Sequence, residues 1–446
     1  MEINYSMNKK QGREMETNQR KTGTYGSEAV QMYSEAEYSE NPNYSEENWV
    51  GAWSTTPVQF DPAKFLNLKN GQFKHGLPHL TFRTEIRPTI GGENIRVTLS
   101  NAFGKQPVTV DAVTAAMGNG KSVCKVQPDT IKQVLFDGKE SVTIEPGCTV
   151  TSDPIGMEVE ALEPLVLSSF VKKSGIMRTF GMIGGHTYAQ FGNHTKSANM
   201  LGSPMKLNGD FGEYAIIPLI SYVEVYAPGA SAAVIIGDST IANDIPLMLA
   251  KKLQNEGIHN VGILQQAVKG NRLMADGVGR LGMIYGESML DRFERDALNL
   301  PGVKKIFIKV GDNDIIHPQC KSMQGIAKYV TTDEMIDAYK ELIERAHKKD
   351  IQVYMFTRTA WRGYTRNLLG GGDDVTWTTE IDEMRKQLNR WIRSDESTAD
   401  GFVDLDYLCG DDLAEEMAKE YTTDGVHFTP KGQQVVVDNL SLDLFR

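Results

Sequence analysis

The sequence predicts an α/β protein, a parallel sheet between two helical layers (αβα), preceded by an all-β sandwich. Three observations predict it. Five short apolar runs alternate with helical patterns after residue 229. Period-two runs bounded by Gly and Pro turns fill residues 49–228, where helical stretches are scarce. Residues 1–48 are polar and have almost no aliphatic periodicity.

The polar leader comes first. Tyr-Ser-Glu recurs in it at Tyr33, Tyr38 and Tyr44. It cannot bury enough apolar surface to offset the entropy of ordering, so residues 1–48 are expected to be disordered. The amino terminus has no apolar core of the kind a secretory signal needs. No run approaches the roughly 18 apolar residues of a membrane span. These absences predict a cytoplasmic protein without a membrane span.

In residues 49–228, Ile95, Val97 and Leu99 alternate with Arg96, Thr98 and Ser100, just after the Gly91-Gly92 turn. Val142 and Ile144 alternate again before Pro146-Gly147. Runs of this kind predict a β-sandwich. In residues 229–446, Ala232–Ile236 is a continuous apolar run, as in a strand buried on both faces. Similar runs follow at Val261–Leu264, Ile306–Val310, Val353–Phe356 and Phe402–Leu405. Between the third and fourth, Met335, Ile336, Tyr339, Leu342, Ile343 and Ala346 line one helical face, with Thr331 and Glu334 as a capping box. Strand–helix–strand alternation means a parallel sheet, whose chemistry lies at the carboxyl ends of its strands.

Composition narrows the function. The chain has 446 residues, 40% hydrophobic and 24% charged, with a net charge of -11. That balance suits a globular protein and argues against a nucleic-acid partner. Cys124, Cys148, Cys320 and Cys409 form no Cys-x-x-Cys pair, so no structural zinc is predicted. They are expected to be reduced thiols, a Cys124–Cys148 bridge being the alternative. No cofactor or metal is predicted.

Acyl transfer needs a hydroxyl nucleophile, a base within hydrogen-bond reach, a group that orients the base, and donors for the developing oxyanion. Gly237-Asp238-Ser239-Thr240 ends the first strand, and Ser239 can be the nucleophile. Asp424-Gly425-Val426-His427 precedes a final helix; His427 can be the base and Asp424 its partner. The N–H groups of Ser239 and Gly270, with the amide of Asn313, can be the donors.

These four blocks, in order and each at its strand end, resemble the SGNH/GDSL hydrolase superfamily. Its name-giving Ser, Gly, Asn and His fall on Ser239, Gly270, Asn313 and His427. The resemblance covers residues 229–446 and implies a flavodoxin-like parallel sheet and ester hydrolysis. More loosely, Gly92–Gly104 and Val223–Gly229 look like a bacterial subgroup with an amino-terminal β-sandwich. Thr240-Ile241 departs from the commoner Ile-Thr, and Gln266-Ala-Val-Lys-Gly270 from Asn-Ala-Gly-x-x-Gly. These changes bear on substrate preference and leave the catalytic residue types intact.

Asn271, His317, Trp361 and Arg362 follow strand ends and are candidates for the substrate wall. Gly277-Val-Gly279-Arg-Leu-Gly282 matches a dinucleotide fingerprint, but no strand precedes it. His186 and His194 read as ordinary loop histidines. The expected function is hydrolysis of short-chain esters, acetyl above all, on small molecules or carbohydrates. An acyltransferase and a non-catalytic carbohydrate-binding protein are the alternatives.

Overall fold

The computed structural model describes residues 44–446 apart from 61–78, 121, 174–176, 201–203, 208–215, 279–281, 321–322, 324, 365–375 and 412–414. Most of the expected leader, including Tyr33 and Tyr38, therefore lies outside the described residues. So does part of the Gly277–Gly282 motif. The leader's last residues are ordered. Tyr44 donates a hydrogen bond to Asn94 and packs edge-on against Tyr226. Glu46 pairs with Arg96, whose guanidinium lies 4.2 Å over the Trp49 ring and also grips Glu224.

Residues 39–446 form one compact unit. Its amino-terminal half holds β1 (Trp49–Ser54), β2 (Leu80–Ile86), β3 (Gly92–Ser100), β4 (Ala112–Met117), β5 (Ile155–Val159), β6 (Leu165–Val171), β7 (Gly185–Phe191) and β8 (Ile220–Tyr226). One antiparallel sheet runs β1-β8-β3-β5, and Thr149–Thr151 also pairs with β3. Another runs β7-β2-β6-β4 between the short strands Met205–Leu207 and Lys132–Val134. Inward residues of both, such as Val97, Leu99, Leu165 and Leu167, belong to one buried cluster.

The carboxyl-terminal half is a parallel sheet of β9 (Ser231–Gly237), β10 (Val261–Ala267), β11 (Val303–Lys309), β12 (Gln352–Phe356) and β13 (Gly401–Val403). Its strand order is β10-β9-β11-β12-β13. The chain therefore reverses direction across the sheet between β9 and β11, and a crevice opens there at the carboxyl ends. Alternate residues of β9 face opposite layers. Ala233 and Ile235 pack with Leu249 of α1 (Ile245–Asn255) and Val436 of α4 (Pro430–Asn439). Val234 and Ile236 pack with Leu342 of α2 (Thr332–His347) and Leu388 of α3 (Thr379–Ile392). Helix α2 begins in the capping box that Thr331 and Glu334 foretell. All four cysteines are free, so the Cys124–Cys148 alternative is not realised. Among the described residues, no helix is long and apolar enough to cross a membrane.

Strand β10 is an edge of the parallel sheet, and an open edge presents unpaired N–H and C=O groups. The amino-terminal half covers it. The Thr89 hydroxyl accepts from Ile263 N–H at 2.9 Å and lies 3.1 Å from Ile263 O. Ser54 Oγ donates to Gln265 O at 3.2 Å. Thr56 Oγ1 donates to the Gln266 side chain at 2.8 Å. Two glycines let the backbones meet: a Cβ on Gly262 would stand 2.2 Å from Gly51 O, and one on Gly51 would stand 2.6 Å from Leu264.

Gly262→Val should therefore lower stability by at least about 2 kcal/mol, although valine suits a strand, because backbone cannot yield to it. Gly156→Val is the control: a Cβ there meets nothing closer than 4.0 Å. Urea unfolding of both variants checks this; equal stability would refute the seam.

Candidate active site

Strands β9, β10 and β11 end level, with Gly237 registered against Ala267 and Lys309. The loops that follow thus leave the sheet side by side. Gly237 cannot be larger, since a Cβ would stand 1.8 Å from Lys309 O. Asp238 is fully buried, and its Oδ1 accepts from Thr240 N–H at 2.9 Å and Thr240 Oγ1 at 2.8 Å. This side-chain-to-backbone bond closes a tight turn. Ser239 sits half-buried at its tip.

His427 meets it from the loop before α4. Its Nε2 lies 2.9 Å from Ser239 Oγ, and its Nδ1 lies 2.6 Å from Asp424 Oδ2. Asp424 Oδ1 accepts from the backbone N–H groups of Val426 at 2.9 Å and His427 at 2.8 Å. Gly425, at φ 94, allows the chain to fold back so tightly. Burial works against ionisation of Asp424, but the His427 ring and these N–H groups hold it well below the usual carboxylate range. Both side chains are about two-fifths exposed, 40% for His427 and 41% for Asp424. The Tyr364 ring stands edge-on to the imidazole at 6.2 Å.

Gly270 has φ 78, and the Tyr285 ring fills the space a side chain would need, 2.3 Å from an added Cβ. Gly311, at φ 111, starts the short helix Asp312–Ile316 that carries Asn313. One N–H of the Asn313 amide donates to Asn271 O at 3.0 Å, tying this block to the one around Gly270. An amide NH₂ carries a second hydrogen, which can serve a substrate oxygen.

The four substrate-wall candidates fare differently. Asn271 is fully buried, and its amide donates to Tyr285 O at 2.9 Å and Glu287 O at 2.8 Å. Its side chain is spent inside the protein, so it braces the loop and is not a wall residue. His317 is also fully buried, against Tyr285 at 5.6 Å between ring centres. Trp361 is a core residue whose Nε1 donates to Thr376 O at 3.0 Å. Arg362 is exposed, pairs with Glu415 and lies over the Trp377 ring. Each follows a strand end, but packing turned three of them inward.

Other residues were not anticipated. Arg292, fully buried, donates to Gly237 O at 3.1 Å, Gln266 O at 3.0 Å and Asn271 Oδ1 at 3.0 Å, with Asp296 as counter-ion at 3.3 Å. It thus joins the ends of β9 and β10 to the loop that holds Asn313. Burial pushes its pKa down to about 10. Beneath the turn, Lys309 pairs with Asp312, and Arg358 reaches Asp312 at 3.1 Å. Burial raises the pKa of Asp238, with Lys309 opposing and Asp312 adding to the rise. Asp314 accepts from Leu273 N–H at 2.6 Å and Met274 N–H at 3.1 Å; burial still pushes it up to about 6. The one signal in the sequence was Lys309, a charge inside an otherwise apolar run.

Arg292→Met should cost at least about 3 kcal/mol, because it removes a buried donor fork that serves two carbonyls, an amide oxygen and Asp296 in the interior. Arg295→Met should cost less, since Arg295 is one-third exposed (32%) and touches Asp296 from outside. Urea unfolding of the two variants decides; equal losses would mean that the carbonyl contacts of Arg292 contribute little.

Comparison with known proteins gives the following. Residues 235–435 match the GDSL-like Lipase/Acylhydrolase family. No curated protein matches the chain. Among solved structures, a putative acylhydrolase from Bacteroides fragilis is 18% identical over 49% of this chain and 90% of its own, with a TM-score of 0.34. A GDSL-like lipase from Bacteroides thetaiotaomicron is 16% identical over 47% and 85%, with a TM-score of 0.33. A catalytic mutant of an acetylxylan esterase from Geobacillus stearothermophilus is 16% identical over 48% and 95%, with a TM-score of 0.36. Residues 235–435 are thus a GDSL-like lipase/acylhydrolase domain, a hydrolase domain of the SGNH/GDSL type.

Proposed function

We propose that the chain hydrolyses short-chain acyl esters, acetyl esters of carbohydrates in particular, by a Ser239–His427–Asp424 triad. In this reading residues 229–446 do the chemistry, and residues 49–228 are an accessory β-sandwich. The observation that carries it is the unbroken hydrogen-bonded line from Asp424 through His427 to Ser239, 2.6 Å and 2.9 Å.

The steps follow from that line. Ser239 Oγ attacks the ester carbonyl as its proton passes to His427 Nε2. The ionised Asp424 stabilises the imidazolium through Nδ1. The carbonyl oxygen becomes negative and is met by the N–H groups of Ser239 and Gly270 and by the Asn313 amide. The imidazolium then protonates the leaving alcohol, and an acyl-Ser239 ester remains. Water, deprotonated by His427, releases the acid and restores the serine.

Ser239→Ala should lower turnover on p-nitrophenyl acetate by roughly 10⁴- to 10⁶-fold and abolish labelling by a serine-directed phosphonate. Turnover within tenfold of wild type would remove Ser239 from the mechanism. Asn313→Asp should lower kcat by about 10²- to 10³-fold with little change in KM, since it sets a carboxylate where negative charge must form. A pure turn residue would tolerate Asp.

The acid range gives a separate test. Asp424 is held below the usual carboxylate range, so it stays ionised as the solution is acidified towards pH 4. Loss of kcat between neutral pH and pH 4 is therefore not protonation of Asp424. Asp424→Asn should lower kcat throughout yet keep an acid limb. A pH-independent kcat in that variant would make Asp424 the titrating group.

A further inference from the structure

Between the two halves lies a cavity of about 350 Å³, within the range of small-molecule sites. The amino-terminal half lines it with Glu85, His186 and Lys206, the carboxyl-terminal half with Asn243, Asp244 and Lys269. The second group belongs to the loops of the candidate active site. Asn243 lies four residues after Ser239, and its amide donates to Thr240 O at 2.9 Å, so this wall is fastened to the nucleophile turn. Lys269 immediately precedes Gly270.

We propose that this cavity binds the sugar portion of a carbohydrate ester, so that the amino-terminal half forms one wall of the substrate site. The inference rests on the reading of Ser239 as the nucleophile. The lining selects the ligand class. Two carboxylates, two ammonium groups, the Arg87 guanidinium, an imidazole and the amides of Asn243 and Gln265 stand around one space. A polyanion would meet Glu85 and Asp244, and a polycation would meet Lys206 and Lys269. A fatty acyl chain would strip water from all eight groups and return no hydrogen bonds. A neutral polyol matches both signs, because each hydroxyl both donates and accepts. Met182 and Leu247, also in the lining, offer apolar surface to the C–H faces of a sugar ring.

The test is a comparison of two esters with the same acetyl group. A monoacetylated disaccharide offers hydroxyls to the polar groups of the cavity, and p-nitrophenyl acetate, whose alcohol portion is a flat aryl ring, offers none. The double variant Glu85→Ala/Lys206→Ala should lose at least tenfold in kcat/KM on the disaccharide, chiefly through KM. Its constants on p-nitrophenyl acetate should move less than twofold. Glu85→Gln should retain more of the disaccharide activity than Glu85→Ala. Equal losses on both substrates would make the two residues structural and overturn the inference. So would unchanged kinetics on the disaccharide. Failure of the underlying reading is separate: it would appear as undiminished p-nitrophenyl acetate turnover in Ser239→Ala.

Discussion

The whole arrangement depends on how the free edge of the parallel sheet is closed. Strand β10 has β9 on one side only. On the other side its N–H and C=O groups meet Thr89 and Ser54 of the amino-terminal half. The contact is possible because glycine stands on both sides, Gly51 facing Gly262. Ladder pairing would have been the generic solution. Here hydroxyl side chains do it, which leaves the two sheets distinct while their interiors merge into one buried cluster. The same closure brings β2 and β7 beside the loops that follow β9 and β10.

A second constraint lies beneath the site. Burying Lys309, Asp312, Arg358 and Arg292 carries a desolvation cost that mutual attraction only partly offsets. What these residues add is position. Arg292 holds Gly237 O and Asn271 Oδ1, and Asn271 O in turn holds Asn313. Hydrogen bonds from a fixed guanidinium fork are more directional than apolar contacts. Three loops that share no helix or strand are thereby tied together.

Much of this was legible in the sequence because the signals were local. The five apolar runs are the five parallel strands, each within a few residues of its expected ends. Thr331 and Glu334 announced their helix because a capping box spans three residues. Ser239, Gly270 and Asn313 stand in short blocks just past strand ends, and His427 in one ahead of the last helix, so the blocks could be picked out locally. Asn271, His317 and Trp361 misled for the same reason: nearness to a strand end in sequence does not tell which way a side chain turns. Arg292 was invisible, since its partners Gly237, Gln266 and Asn271 lie 55, 26 and 21 residues away. A buried arginine and a surface arginine look alike in a sequence.

The two parts of the proposed triad are mounted differently. Ser239 rides on a central strand whose turn is clasped by a buried aspartate. Asp424 and His427 share one loop, and most of the bonds of Asp424 stay inside that loop. The acid and the imidazole are thus a cassette, docked through the imidazole on Ser239, through the ring edge on Tyr364, and through Val426 and Phe428 on the core. If that loop swings out, base and orienting group leave together, and their mutual geometry survives the excursion. Acid and base are therefore gained or lost as one unit, whatever becomes of the serine's own turn.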